Sequence, residues 1–235
     1  MVKIGNFFFH YRNFMFPVFY LALFLPSPPI FEHYVTAIIS GGIIALIGQS
    51  IRWTTIGLVY IIRGGKNRQV YAEKLVTDGI FAHCRNPMYV GNVLMLIGTG
   101  ILANSLYFLL IGGPFFIFVY QAIIMAEENF LHNKFGAEFE AYKASTGRWL
   151  PRLKGLGTTL NSMTFRWKRV ILKEYNTSYI WLLGCTLLIL KQVYEHETSV
   201  EFDRALPVLI GVIIFITLTY ATIKYMKKTK RFTSA

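Results

Sequence analysis

Six long apolar runs separated by basic segments limit what this chain of 235 residues can fold into. A helix that crosses a bilayer needs about 20 mostly apolar residues, because it must satisfy its own backbone across roughly 30 Å of hydrocarbon. The runs lie at 13–31 (with Pro17 inside), 34–62, 88–104, 105–126, 177–193 and 206–226. Charged residues make up only 15% of the chain and hydrophobic ones 54%. Soluble domains carry about 25% charged residues, so this balance excludes a disordered chain and argues against a soluble enzyme. The expected fold is all-α: a polytopic membrane bundle of about six transmembrane helices plus a cytoplasmic amphipathic helix. The run 34–62 is too long for one untilted span, and Arg52 interrupts it. Arg52 beside Trp53 reads as an interfacial exit, with 54–62 lying along the interface or re-entering it. A strongly tilted single helix is the other solution.

The net charge of +12 tests this layout. Of the 24 Lys and Arg, 21 fall in the N-terminus, 63–87, 127–176 and the C-terminal tail, and only Lys191 and Arg204 fall on the opposite side. That distribution predicts a multi-pass protein with both termini cytoplasmic. The charge is thus mainly a topology signal, with attraction to anionic lipid as a second effect; the bilayer is the expected partner and nucleic acid is not. The first run leads into LPSPPIFEH, which lacks a signal-peptide cleavage pattern. Two cysteines exclude a disulfide framework and a four-cysteine zinc site. His83 and Cys84 are adjacent with no second pair at ligand spacing, so no metal is expected. Neither a G-x-S-x-G elbow nor a Walker loop occurs.

Two segments on the basic side are dense in functional groups: LVTDGIFAHCRNPMYVGN at 75–92 and EENFLHNKFGAEFEAYKASTGRWLP at 127–151. In the first, Pro87 opens the third span with Asn86 as N-cap. The positive helix start and Arg85 together suit a carboxylate or phosphate. A capped helix with a snorkelling Arg is the plainer reading. Gly91 and Gly98 allow close approach of either a ligand or another helix. In the second, Glu127 and Glu128 are unexpected beside anionic headgroups and near a helix C-terminus. They imply a bound cation or several N–H and O–H donors, unless the helix runs on into water. Leu131, Phe135, Phe139 and Tyr142 form one apolar stripe of an amphipathic helix. Cys84 lies beside Arg85, which favours a thiolate, but an inert packing role is the preferred reading.

The pair LVTDG-x5-RNPMYVGN and EE-x2-L-x3-FG-x2-F-x2-Y, followed by Arg148 and Pro151, resembles the membrane-embedded methyltransferases that act on isoprenylcysteine and on phosphatidylethanolamine. The likeness spans about 42–151, so 1–41 reads as an N-terminal membrane segment and 152–235 as an extension with two further spans. The resemblance implies an S-adenosylmethionine site at the cytoplasmic interface, lined by Glu127, Glu128, Arg85, Asn86, Pro87, Tyr89, Gly91 and Gly98. Either acid holds the ammonium or the ribose hydroxyls, and Arg85 with the helix start holds the carboxylate. Arg85 and Tyr89 then also belong to the catalytic set. His83 and Tyr89 are the nearest general bases if the acceptor arrives protonated, and Arg52 or Arg148 would orient an acidic acceptor. The acceptor is expected to be lipophilic, with an O-, N- or S-nucleophile. A membrane reductase using NADPH and a non-enzymatic scaffold are the competing readings.

Overall fold

The computed structural model describes residues 1–59 and 70–229. Among them every regular element is helical: α1 Val2–Tyr20, α2 Tyr34–Leu58, α3 Pro87–Leu102, α4 Gly113–Phe135, α5 Ala137–Ser145, α6 Leu156–Asn161, α7 Trp167–His196 and α8 Ser199–Lys228. Short 3-10 turns cover Leu21–Phe24 and Gly79–Ala82, and a π turn at Phe108–Gly112 leads into α4.

Among the described residues three helical stretches are long and apolar enough to cross a membrane: Tyr34–Leu58, Phe108–Phe135 and Ser199–Lys228. The expected six are not all of that kind. With 16 residues, α3 is about 24 Å long, short of a full hydrocarbon core. In α7 only 14 residues separate Asn176 from Lys191, and α1 carries Lys3, His10, Arg12 and Asn13.

The first helix is also displaced from the run at 13–31. Prolines 26, 28 and 29 stop it, and it gains length on the N-terminal side, where Gly5 and Phe9 are buried. A Cβ on Gly5 would sit 2.6 Å from the carbonyl carbon of Ala122, so α1 and α4 touch backbone to backbone there. Higher up, Phe16 meets Phe116 edge-on at 5.3 Å.

The chain does not change course at Arg52. Helix α2 runs unbroken from Tyr34 to Leu58, and Arg52 is only 4% exposed. A partner from α7 meets its charge inside the bundle, so nothing drives it to an interface. Residues 60–62 of that run lie outside the described residues.

The centre of the fold is the seam between α2 and α3. A Cβ on Gly48 would lie 2.6 Å from the Gly91 carbonyl oxygen, and one on Gly98 would lie 2.6 Å from that of Gly41. Small residues spaced along both helices let the backbones meet, as dispersion and close packing require where lipid offers no hydrophobic drive. Against this pair α7 docks with Trp181 Nε1 donating to Thr99 Oγ1 at 3.3 Å and Gln192 Nε2 to the Ala103 carbonyl at 2.6 Å. A capping box of Thr198 and Glu201 starts α8, which lies on α7 through Tyr220 stacked on Tyr175 and Tyr179 at 5.5 and 4.3 Å.

The seam predicts a contrast. Gly98→Val should lower stability by about 1–3 kcal/mol or more through overpacking. Gly42→Ala, with nothing within 4 Å of the added carbon, should be neutral or slightly stabilising. Thermal unfolding in detergent reads both.

Candidate functional site

Two adjacent acids near the end of α4 point to different neighbours, because consecutive helical residues sit about 100° apart. Glu127 faces α3 and accepts a 2.7 Å hydrogen bond from the Tyr89 hydroxyl. The Tyr89 ring leans on Tyr120 at 5.5 Å, two turns earlier on the Glu127 side of α4. Arg12 of α1 is close enough for its charge to act on this pair.

Glu128 faces the other way, into two guanidinium groups. Its Oε1 accepts from Arg85 Nε at 3.2 Å, Arg85 Nη2 at 3.1 Å and Arg148 Nε at 3.1 Å, and its Oε2 accepts from Arg148 Nη2 at 2.6 Å. The remaining Arg85 nitrogen, Nη1, donates to the Lys143 carbonyl at 3.0 Å and to that of Thr146. A cation thus satisfies the open carbonyls at the C-terminus of α5. Arg85 does not snorkel: its side chain is 9% exposed and that of Glu128 12%, whereas Arg148 is 29% exposed.

Residues 146–152 form a strap along 83–86. The Arg85 N–H donates to the Gly147 carbonyl and the Arg152 N–H to that of His83, both at 2.9 Å. Trp149 Nε1 ties the strap back to α4 through Gln121 Oε1 at 3.0 Å. Asn86 occupies the N-cap position before Pro87 as expected, but its side chain makes no cap. It donates instead to the Arg148 carbonyl at 3.3 Å.

The expected single amphipathic helix is broken. Gly136 adopts φ +51°, ψ −121°, a conformation that L side chains rarely take, and it separates α4 from α5. Leu131 and Phe135 therefore sit on one helix, and the buried Phe139 and Tyr142 on the next. The turn lets α5 fold back under 79–82, where the Tyr142 hydroxyl donates to the Phe81 carbonyl at 2.8 Å. Burial pushes that phenol's pKa up, so it stays a donor.

Arg85, Asn86, Pro87, Tyr89, Glu127, Glu128 and Arg148 are thus brought together. Other expected residues are elsewhere. His83 is buried, with Nδ1 2.7 Å from the Arg152 carbonyl oxygen and Nε2 2.9 Å from Thr159 Oγ1. A carbonyl can only accept, so Nδ1 is the donor, and the ring latches the 79–82 turn to α6. Cys84 Sγ lies 3.6 Å from the carbonyls of Arg148 and Trp149. Burial pushes its thiol up, against the Asn86 backbone N–H and the Arg85 charge, so packing and not thiolate chemistry describes it. The open sides of Gly91 and Gly98 are filled by α2, with the Gly48 carbonyl oxygen 2.7 Å from a Cβ on Gly91.

Arg52 belongs to a separate buried network. Its Nε and Nη2 donate to Glu174 at 3.0, 2.9 and 2.8 Å. Nη1 donates to Asn92 Oδ1, and Gln49 Nε2 adds a 3.4 Å contact to the same carboxylate. Glu174 went unremarked in the sequence, although it is the only acid between Glu140 and Glu195. A lone acid at the start of an apolar run is a signal for a buried cation partner.

The site therefore offers a carboxylate held by a neutral hydroxyl, and beside it two guanidiniums sharing one carboxylate. A phospholipid methyltransferase family profile matches residues 36–138, which include α2, α3, Arg85, Tyr89 and both acids. A cobalt-zinc-cadmium resistance protein, CzcN, of Cupriavidus metallidurans is 30% identical over 164 residues, covering 67% of this chain and 69% of that protein. The chain belongs to the phospholipid methyltransferase family. Membership supports a membrane methyltransferase. A nickel-cobalt-cadmium resistance protein, NccN, of Alcaligenes xylosoxydans xylosoxydans is 28% identical over 50% of this chain and 54% of its own length. A protein-S-isoprenylcysteine O-methyltransferase of Schizosaccharomyces pombe is 32% identical over 39% and 38%. No solved structure matches.

Two outcomes follow from the site's internal pairing. Glu128→Gln should leave Arg85 and Arg148 facing each other without a full counter-charge and cost about 2–3 kcal/mol. Hydrogen exchange across 143–149 should rise with it. Arg52→Met alone should cost about 3–5 kcal/mol, and adding Glu174→Leu should restore most of that loss; unfolding of the single and double variants in detergent measures it.

Proposed function

We propose that this chain transfers a methyl group from S-adenosylmethionine to a lipid-like or membrane-partitioning acceptor where α3 and α4 meet the cytoplasmic interface. The observation that carries the reading is the convergence of Tyr89–Glu127 with Arg85–Glu128–Arg148 at one end of the bundle. The donor set suits a zwitterion. Glu127, held by the neutral Tyr89 hydroxyl, takes an ammonium or a pair of ribose hydroxyls. Two guanidiniums around one carboxylate leave an excess positive charge, and Arg148, the more exposed of the two, takes the donor's carboxylate.

S-adenosylmethionine supplies an electrophilic methyl on a sulfonium. The protein's part is placement: Glu128 sets the spacing of the two guanidiniums, and the strap fixes Arg148 against Asn86. Methyl transfer from a cationic donor moves charge without creating much, so alignment and exclusion of water provide most of the acceleration. A base is needed only for a protonated acceptor. His83 has both ring nitrogens engaged outside the site, which leaves Tyr89 with Glu127 as the proton-accepting pair. Glu127, whose partner is a neutral hydroxyl, opposes binding of the pyrophosphate and 2′-phosphate of NADPH, which weighs against a reductase.

The layout we attach to this reading has six membrane passages with both termini cytoplasmic. A methyltransferase core at 42–151 is flanked by 1–41 and 152–235. Two relatives are named for heavy-metal resistance. Among the described residues no three His, Cys, Asp or Glu side chains converge as a metal site would need. We read any such role here as methylation of a membrane component, on the strength of the family match.

Calorimetric titration of the detergent-purified chain tests the reading. S-adenosylhomocysteine should bind and NADPH should not. Glu127→Gln should weaken the former by about 1.5–3 kcal/mol. Binding of NADPH alone, or of neither, overturns the proposal. Radiolabelled methyl transfer into a total lipid extract should then label a lipophilic product.

A further inference from the structure

Helix α2 has a second side. The face opposite the α3 seam, from Ile43 through Leu46 and Ile47 to Thr54, walls an open groove of about 480 Å³ that Leu156 and Leu160 of α6 close from the other side. The twelve residues from Ile43 to Thr54 span about 16 Å. One leaflet of a bilayer offers about 15 Å of hydrocarbon. Ile43, Leu46 and Ile47 are each more than half exposed on a helix apolar enough to cross a membrane.

The chain flanking α6 has a matching character. From 141 to 173 there are eight Lys and Arg and no acid. Arg152 and Lys154 before α6, and Arg166 and Lys168 after it, are exposed. They alternate with exposed apolar residues: Leu153 at 73% and Trp167 at 65%. Cations interleaved with a large aliphatic and an indole suit the headgroup layer, where apolar bodies enter the acyl boundary and charges meet phosphates.

We propose that this groove and its basic collar bind one anionic phospholipid, with an acyl chain along α2 beneath α6 and the phosphate held by the cations on either side of α6. A soluble anion would use the collar and leave the groove bare. A neutral lipid would use the groove and leave four exposed cations without a counter-charge. The site is distinct from the Tyr89–Glu127 pair, because the seam with α3 lies on the other face of α2. It rests on the membrane character of α2 and not on methyl transfer, so either reading can fail without the other.

Native mass spectrometry of the full chain in detergent, titrated separately with phosphatidylglycerol and phosphatidylcholine, tests it. Phosphatidylglycerol should bind about tenfold more tightly or better, at about fivefold for each engaged cation. The variant Arg152→Gln, Lys154→Gln, Arg166→Gln, Lys168→Gln should bind the two lipids equally. Ile47→Trp, which fills the groove, should weaken both lipids. If that variant fails to fold, the glutamine variant decides, since its changes are all on exposed side chains. Glycerol phosphate, which has no acyl chain, should not compete. Equal affinity for the two lipids in the native chain, an unchanged preference in the glutamine variant, or full competition by glycerol phosphate each overturns the proposal.

Discussion

A carboxylate clamped between two guanidiniums organises the end of the bundle where 83–86 meets α4 and α5. Glu128 draws together Arg85 from the segment before α3 and Arg148 from the strap after α5. Arg85 then spends its last nitrogen on the carbonyls that end α5. One acid thus ties the segment before α3 and the strap after α5 to α4. Its neighbour Glu127 is left with a neutral hydroxyl donor, so the two acids have different tasks despite adjacent positions. Charge pairs of this depth contribute little net stability, because desolvation offsets most of the attraction. Their effect is to select one arrangement of strap and helix start.

Much of this was legible in the chain. The helical class follows from apolar run lengths, and the start of α3 follows from Pro87, whose fixed φ and missing N–H suit a first helical turn. The density of polar groups at 75–92 and 127–151 marks the two segments that pair through Tyr89–Glu127 and Arg85–Glu128. What stayed hidden has a common cause. The partner of Arg52 lies 122 positions away, and no local rule links them. Local reading therefore places an arginine inside an apolar run at the membrane interface, whereas its side chain pairs with Glu174 inside the bundle. The break at Gly136 was hidden for a different reason. The stripe of Leu131, Phe135, Phe139 and Tyr142 keeps helical spacing across the glycine, so periodicity alone reads one helix where the backbone makes two. Length and apolarity alone mark three crossing helices among the described residues, because α3 is short and α7 carries Asn176 and Lys191 at the ends of its apolar stretch.

The buried network around Arg52 gives the C-terminal extension a physical link to the core. Glu174 lies on α7, beyond the part of the chain that the family profile matches. Through Arg52 it reaches Asn92, and Asn92 sits one turn after Tyr89 on α3. A guanidinium at this depth is tolerable only with a carboxylate beside it. The matched core therefore carries a cation that its own segment does not neutralise, and α7 supplies the counter-charge. Removing the extension would do more than strip a lipid-facing layer. It would leave a bare charge against the helix that presents Tyr89 to Glu127. The two terminal helices are on this argument part of the site's support, with α7 contributing the charge and α8 covering α7 from lipid.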